Sequence, residues 1–227
     1  MRKIALMALT ALPLFAGFFP ATVHTSVSTI ENGTLSLNQT FSKNGMSGIV
    51  IHNYGNGLNA ITAHIQQTSS EGNAKVIDKN IIHHNALPSI KTAIEAGDNV
   101  VGGYLYNNVL LLAPDASTYN KITSSYAKNW THPDLFALYL EQEGESIPTR
   151  ESLATFAQIH QIGLVYIVRK NSAVLLDPIS GKIVSEKSVS KVPTTAQYPF
   201  YMHLDEIKTG WFSKDTKGNY YQIMESL

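Results

Sequence analysis

"EAGDNVVGGYLYNNVLLLAPD", residues Glu95–Asp115, is the stretch on which the architecture turns. Two apolar runs, Val100-Val101 and Val109 to Leu112, flank a segment rich in Gly and Asn. Asn107-Asn108 reads as the turn of a hairpin, because Asn tolerates the left-handed backbone that tight turns need. Leu110-Leu111-Leu112 does not alternate with polar residues, so its strand is predicted to be buried on both faces. The hairpin can belong to the N-terminal half of the chain or to the C-terminal half, and it therefore sets the boundary between the two.

Upstream, the pattern is β. "TSVSTIENGTLSLNQ" (Thr25–Gln39) has two alternating runs around Asn32-Gly33, a strong hairpin signal. "GIVIHNYGNGLNAITAHIQQ" (Gly48–Gln67) repeats the plan, and "AKVIDKNIIHHN" (Ala74–Asn85) reads as a further strand or irregular pair. Downstream, the period changes to helical. Tyr119, Ile122 and Tyr126 fall on one helical stripe between Ala116 and Tyr126; "THPDLFALYLEQEG" (Thr131–Gly144) is a second helix; "PTRESLATFAQIHQIG" (Pro148–Gly163) is a third, with Leu153, Phe156, Ala157 and His160 on one face. Gly144 and Gly163 stand where helices end in the left-handed conformation. "GLVYIVRKNSAVLLDPISGKIVSEK" (Gly163–Lys187) then reads as three strands with turns near Lys170-Asn171 and over Asp177–Gly181. The stretch after Ser188 is poor in pattern and ends in "NYYQIMESL", read as one last strand.

The expected fold class is α+β. A β-rich module over 23–96 precedes an α+β module over 97–187, whose three consecutive helices pack on an antiparallel or mixed sheet; 188–227 is a C-terminal extension. Ahead of these, Met1-Arg2-Lys3 and the apolar run Ile4–Phe19 have the form of a secretory leader over 1–22, with the cut between Gly17 and Thr25. The run falls short of the roughly 20 residues a spanning helix needs, and Pro13 interrupts it. No later segment is long and apolar enough to cross a membrane. A cleaved leader and a retained anchor both export the chain, to the periplasm, the outer membrane or the cell surface.

Cysteine is absent, which excludes disulfides, a thiol nucleophile and a lipid-bearing N-terminal Cys. Removing Arg2 and Lys3 leaves 15 basic against 17 acidic residues, a net of −2, with no basic stripe for nucleic acid.

Sequence patterns that imitate catalytic motifs have simpler explanations. "GNGLNA" (Gly55–Ala60) fits G-x-G-x-x-A, but the alternating Ile61-Thr62-Ala63-His64-Ile65 next to it predicts a strand where a dinucleotide site needs a helix. "DPISGKI" (Asp177–Ile183) has Leu176 where a phosphate loop needs its first Gly, so it is a turn between strands. "GMSG" (Gly45–Gly48) lacks the spacing of a nucleophile elbow. None of the eight histidines (24, 52, 64, 83, 84, 132, 160, 203) pairs at a metal-binding helical spacing. Adjacent His83-His84 would point to opposite faces of a strand, His203 and Asp205 could share a face, and His160 is expected in the helical stripe with its ring nitrogen bonded. Thr131-His132-Pro133-Asp134 reads as a helix start: Thr131 caps, Asp134 reaches back, Pro133 sits in the first turn, and His132 has no assigned part. No catalytic, cofactor-binding or metal-binding residue is assigned, and no cofactor.

"GDNVVGGYLYNNVLLLAPD", "HPDLFALYLEQEG", "PTRESLATFAQIHQIGLVYIV" and "AVLLD", in this order and densest from Gly97 to Asp177, resemble the N-terminal domain of the plasminogen-binding surface proteins of the PgbA type. The resemblance implies an exported bacterial protein that acts by binding. In that family plasminogen capture is attributed to a C-terminal region ending in lysine, consistent with kringle modules that cradle an ammonium and a carboxylate across an aromatic trough. The present sequence ends Glu225-Ser226-Leu227, and Lys214, Asp215 and Lys217 in "SKDTKG" offer an internal cation beside an acid. The resemblance supplies no catalytic residues. The expected function is an exported envelope or surface binding protein, with plasminogen or another envelope protein as partner. The alternatives are a periplasmic or outer-membrane scaffold that recruits an envelope partner, and an enzyme whose site assembles from dispersed His, Asp and Tyr residues.

Overall fold

The computed structural model describes residues 17–78, 92–208 and 218–227. His83, His84, Lys214, Asp215, Lys217 and the leader up to residue 16 lie outside them. The chain is α+β, as its patterning predicts. β1 (Val23–Glu31), β2 (Thr34–Leu37), β3 (Ser47–Gly55), β4 (Leu58–Gln67), β5 (Asn73–Asp78) and β6 (Asn99–Gly102) close into a barrel in the order β1-β2-β5-β4-β3-β6. The two hairpins expected here are formed. Asn32 and Gly33 turn β1 into β2 with φ of 49° and 80°, and Asn56 and Gly57 turn β3 into β4 at 51° and 79°. "GNGLNA" is thus a hairpin loop.

The second part runs β7 (Asn108–Leu112), α1 (Ala116–Ser125), β8 (Asn129–Thr131), α2 (Pro133–Glu143), α3 (Arg150–His160), β9 (Leu164–Val168), β10 (Ser172–Asp177), β11 (Lys182–Ser188) and α4 (Tyr220–Ser226). Its sheet has the order β11-β10-β9-β7-β8, antiparallel across β9, β10 and β11, and parallel where β7 meets β8 and β9. The sheet is mixed.

The hairpin expected at Asn107-Asn108 does not form. β6 pairs with β1 and β3 in the barrel, whereas β7 pairs with β8 and β9 in the open sheet. The reason lies in the two patterns. Val100 and Gly102 are buried while Asn99 is exposed, the alternation of a strand with one face on a core. Leu110, Leu111 and Leu112 are each 0% exposed, a condition met only by an interior strand of a sheet covered on both faces. The segment joins two sheets that require different patterns.

Alternation along the mixed sheet separates two cores. Val109, Leu111, Leu164, Tyr166, Ala173 and Leu175 point to the barrel side and merge with the barrel interior in one apolar cluster. Leu110, Leu112, Val165, Ile167, Val174 and Leu176 point the other way and are covered by α2, α3, α4 and residues 196–207. The helical stripes match: Phe136, Ala137 and Leu140 of α2, and Leu153, Phe156 and Ala157 of α3, are buried. α1 lays Tyr119, Ile122 and Tyr126 against the barrel-side cluster instead, so the three helices divide between the two faces, with the short β8 between the first two.

The C-terminal segment is a helix and not the expected strand. Tyr220, Met224 and Leu227 are buried at i, i+4 and i+7. Asn219 caps it by accepting from the Tyr221 N–H at 2.9 Å. The Tyr220 hydroxyl lies 2.9 Å from the Leu112 carbonyl and 2.7 Å from that of Val168, at the ends of β7 and β9. Burial pushes its phenol pKa well above the ordinary value, with Tyr221 and Asp115 adding to the rise.

Barrel and sheet are joined at Asp177, which is 0% exposed. Its Oδ2 accepts from the Ser47 N–H at 2.7 Å and the Tyr106 hydroxyl at 2.6 Å. Its Oδ1 accepts from the N–H groups of Ile179 and Ser180 at 2.9 and 3.0 Å. "DPISGKI" is therefore a turn, as expected, and its Asp also fastens the first residue of β3. Gly163 closes the junction from another side. A Cβ there would lie 2.2 Å from the Leu105 carbonyl oxygen. Its role is close approach; the left-handed residue ending α3 is Gln161, at φ 54°, while Gly144 ends α2 at φ 73° as expected.

At the N-terminal end of the described chain, Phe18 and Phe19 pack on the barrel-side cluster. Phe19 meets Tyr126 edge-on at 5.0 Å, and Trp130 and Tyr166 at 6.4 and 6.2 Å. Lys187 Nζ stands 4.3 Å from the Phe18 ring centroid and donates to the Tyr126 hydroxyl at 2.8 Å. Among the described residues, no helix is long and apolar enough to cross a membrane.

Candidate functional site

Among the described residues, a close group of titratable side chains, His132, Asp134 and His203, forms where α2 begins. Edge strand β8 holds Thr131 opposite Leu110, and the chain then leaves the sheet. Pro133 occupies the first helical turn, where its missing N–H costs nothing, and Asp134 sits at the positive end of the helix dipole. The cap, however, is His132. Its Nδ1 accepts from the Asp134 N–H at 3.2 Å. The expected Thr131–Asp134 capping box does not form, because Thr131 is still strand and one residue too early. Asp134 is free to turn elsewhere.

It turns to His203. Residues 196–207 cross the helical face of the sheet, tied by the Gln197 N–H to Pro114 O and the Tyr201 N–H to Ala113 O, both at 2.8 Å. Phe200 and Met202 point inward at 0% and 3% exposure, which turns half-buried Tyr201 and exposed His203 to the other side, Tyr201 against the barrel-side cluster. The His203 N–H donates to Asp134 Oδ1 at 2.8 Å, and its ring Nδ1 lies 2.9 Å from Asp134 Oδ2. His132 Nδ1 is 3.2 Å from that same Oδ2. The two imidazoles stack at 4.6 Å and 9°. Tyr201 Oη is 2.9 Å from His203 Nε2, and Tyr119 of α1 lies 5.1 Å from His132 and 5.4 Å from Tyr201.

Burial lowers the His132 pKa, and His203 adds to this; Asp134 pulls the other way without restoring it. Burial pulls the Asp134 pKa upward but is outweighed by the His203 hydrogen bonds and the two imidazoles, so the carboxyl sits below its ordinary range. Burial, then Tyr201 and Asp134, raise the Tyr119 phenol. Chemically the group offers two imidazole nitrogens and one carboxylate oxygen, all within 4.8 Å of one another. His203 thus pairs with Asp134, not with nearby Asp205. No spacing in the sequence links positions 132 and 203; the one signal is that a capping box leaves His132 without a part.

The other histidines sort differently. His52 Nδ1 is 2.8 Å from Asp98 on the barrel. His160 stays in its stripe, its ring 4.3 Å from Phe156. A cleft of 270 Å³ between barrel and sheet, lined in part by Ser47, His64, Tyr104 and Gln158, is smaller than a drug-sized site.

Comparison with family models matches residues 22–227 to the family described as plasminogen-binding protein pgbA N-terminal, and the chain belongs to this family. Comparison with curated proteins and with solved structures returns no match.

Proposed function

We propose that this protein is an exported envelope or surface protein that works by binding another protein, and that plasminogen is the partner. The observation that carries this is membership of the family over 22–227. The chemistry of kringle recognition, an ammonium held with a carboxylate, supplies a place to look. On the turn between β9 and β10, Lys170 is exposed, and its backbone N–H, not its ammonium, donates to the exposed Glu225 carboxylate of α4 at 3.1 Å. A lysine and an acid are presented together there. The His132–Asp134–His203 group does not favour an enzyme reading, because it stands on an open surface, with the His203 side chain 64% exposed.

The test is capture of plasminogen from solution by immobilised protein, with free lysine as competitor. Saturable capture that lysine abolishes, and that Lys170→Ala weakens several-fold, is expected. Absence of capture overturns plasminogen as the partner. Capture unchanged in Lys170→Ala moves the epitope elsewhere.

A further inference from the structure

We propose that His132, Asp134 and His203 form a binding site for one divalent late transition-metal ion of the zinc type, fastening residues 196–207 to the start of α2. Among the described residues these three side chains are grouped closely enough to hold a metal, their ligand atoms lying within 4.8 Å of one another. A four-coordinate zinc bound at about 2.0–2.1 Å sets its ligands roughly 3.3 Å apart. Asp134 Oδ2 already stands 3.2 Å from His132 Nδ1 and 2.9 Å from His203 Nδ1.

The arrangement has the supporting contacts that a metal site needs. Asp134 Oδ1 is taken by the His203 backbone N–H at 2.8 Å, which orients the carboxylate and leaves Oδ2 facing both rings. His132 supplies the strongest argument. Its Nδ1 accepts the Asp134 N–H and so carries no proton, yet it faces the Asp134 Oδ2 lone pairs at 3.2 Å. Two acceptors face each other there, and a cation relieves the repulsion by taking over the single Nδ1 lone pair from the Asp134 N–H.

The imidazole planes lie within 9° of each other, so no point lies in both. Metal entry therefore turns His203, the 64% exposed member, about its Cβ–Cγ bond. Two imidazoles and one carboxylate suit zinc, copper or nickel; calcium and magnesium require oxygen-only shells. Water completes the coordination from the exposed side.

The experiment is calorimetric titration of EDTA-treated, dialysed protein with Zn²⁺, repeated with Co²⁺ while visible absorption is read. One saturable site per chain is expected, with Co²⁺ bands of a nitrogen–oxygen set. His203→Ala, at an exposed position, should keep the melting temperature of the metal-free protein and weaken Zn²⁺ binding at least ten-fold; His24→Ala should leave it unchanged. No saturable site in the wild-type protein overturns the proposal, and so does equal affinity in His203→Ala. Neither result bears on the proposed plasminogen capture, which is tested separately at Lys170.

Discussion

Asp177→Asn is the substitution that tests how barrel and sheet are held together. It keeps the shape of the side chain and removes one acceptor. The carboxylate receives four hydrogen bonds, from Ser47 N–H, Tyr106 O–H, Ile179 N–H and Ser180 N–H. With the amide oxygen placed toward Ile179 and Ser180, the amide NH₂ meets the other two donors. The Tyr106 hydroxyl can rotate and accept. The Ser47 N–H cannot, and it is left buried and unpaired, at about 1–3 kcal/mol. The remaining bonds lose charge assistance, which adds about 1–2 kcal/mol. The sum is about 2–5 kcal/mol, equivalent to a melting temperature lower by roughly 4–20 °C for a chain of this size. Tyr106→Phe removes one donor and leaves three, so it should cost about 1.5–3 kcal/mol. The Tyr106 phenol, raised well above its ordinary pKa by burial and by Asp177, stays a neutral donor throughout the accessible pH range. Urea unfolding followed by far-ultraviolet circular dichroism measures each variant and the double variant. The two positions touch, so their effects should fall short of additive by about 1 kcal/mol or more. An Asp177→Asn protein within about 0.5 kcal/mol of wild type, or full additivity with Tyr106→Phe, would refute this picture of the joint.

Phe19→Ala should cost about 2 kcal/mol, around half of what a fully buried Phe loses, because Phe19 is half-buried against Tyr126, Trp130 and Tyr166. By the same contacts a chain starting at Val23 should melt below one starting at Gly17, and equal melting temperatures would show that the Phe18-Phe19 packing contributes nothing. Acidification should destabilise the start of α2 in two steps. His132 has a folded pKa below its unfolded value of about 6.5. Its stabilising contribution is present above pH ~6.5 and is lost as pH falls toward the folded pKa. Asp134, likewise depressed, loses its contribution below about pH 4. Melting temperature against pH in His132→Ser, which can still cap the helix, should lose the first step and keep the second; retention of both would clear His132 of the effect.

Local signals are legible because each rests on one short stretch of chain. Asn32-Gly33 and Asn56-Gly57 name their turns by backbone conformation, and the stripes of α2 and α3 name their buried faces, that of α1 a half-buried one. The joint at Glu95–Asp115 misleads because an Asn-rich turn between two apolar runs is read locally as a hairpin. The partners are chosen globally: β6 completes a barrel that needs one apolar face, and β7 enters a sheet that needs two. The lack of alternation in Leu110-Leu111-Leu112 is the correct signal, and it is incompatible with pairing to an alternating β6. The C-terminal helix misleads for a related reason. "NYYQIMESL" is short and mixes β-forming Tyr and Ile with a helical i, i+4, i+7 spacing, and its place over β7 and β9 selects the helix.

The side-chain cluster at α2 is harder to foresee, because it needs two independent displacements. His132 becomes the cap only because β8 holds Thr131 in the sheet, an effect of pairing with β7 that a capping rule cannot contain. That shift by one residue releases Asp134 from the backbone. His203 arrives because Phe200 and Met202 fill the helical-side core, and alternation then turns Tyr201 and His203 away from that core. Residues 188–207 have no period of their own, so their apolar residues look scattered; buried in this fold, they act as anchors that fix which polar residues face α2. A pair separated by 69 positions thereby acquires a 2.8 Å hydrogen bond. The same logic gives a reason for His at position 132. Ser, Thr, Asn or Asp would cap the helix equally well, but an imidazole caps through a nitrogen that can exchange the cap hydrogen bond for the proposed metal, set against a carboxylate and a second imidazole.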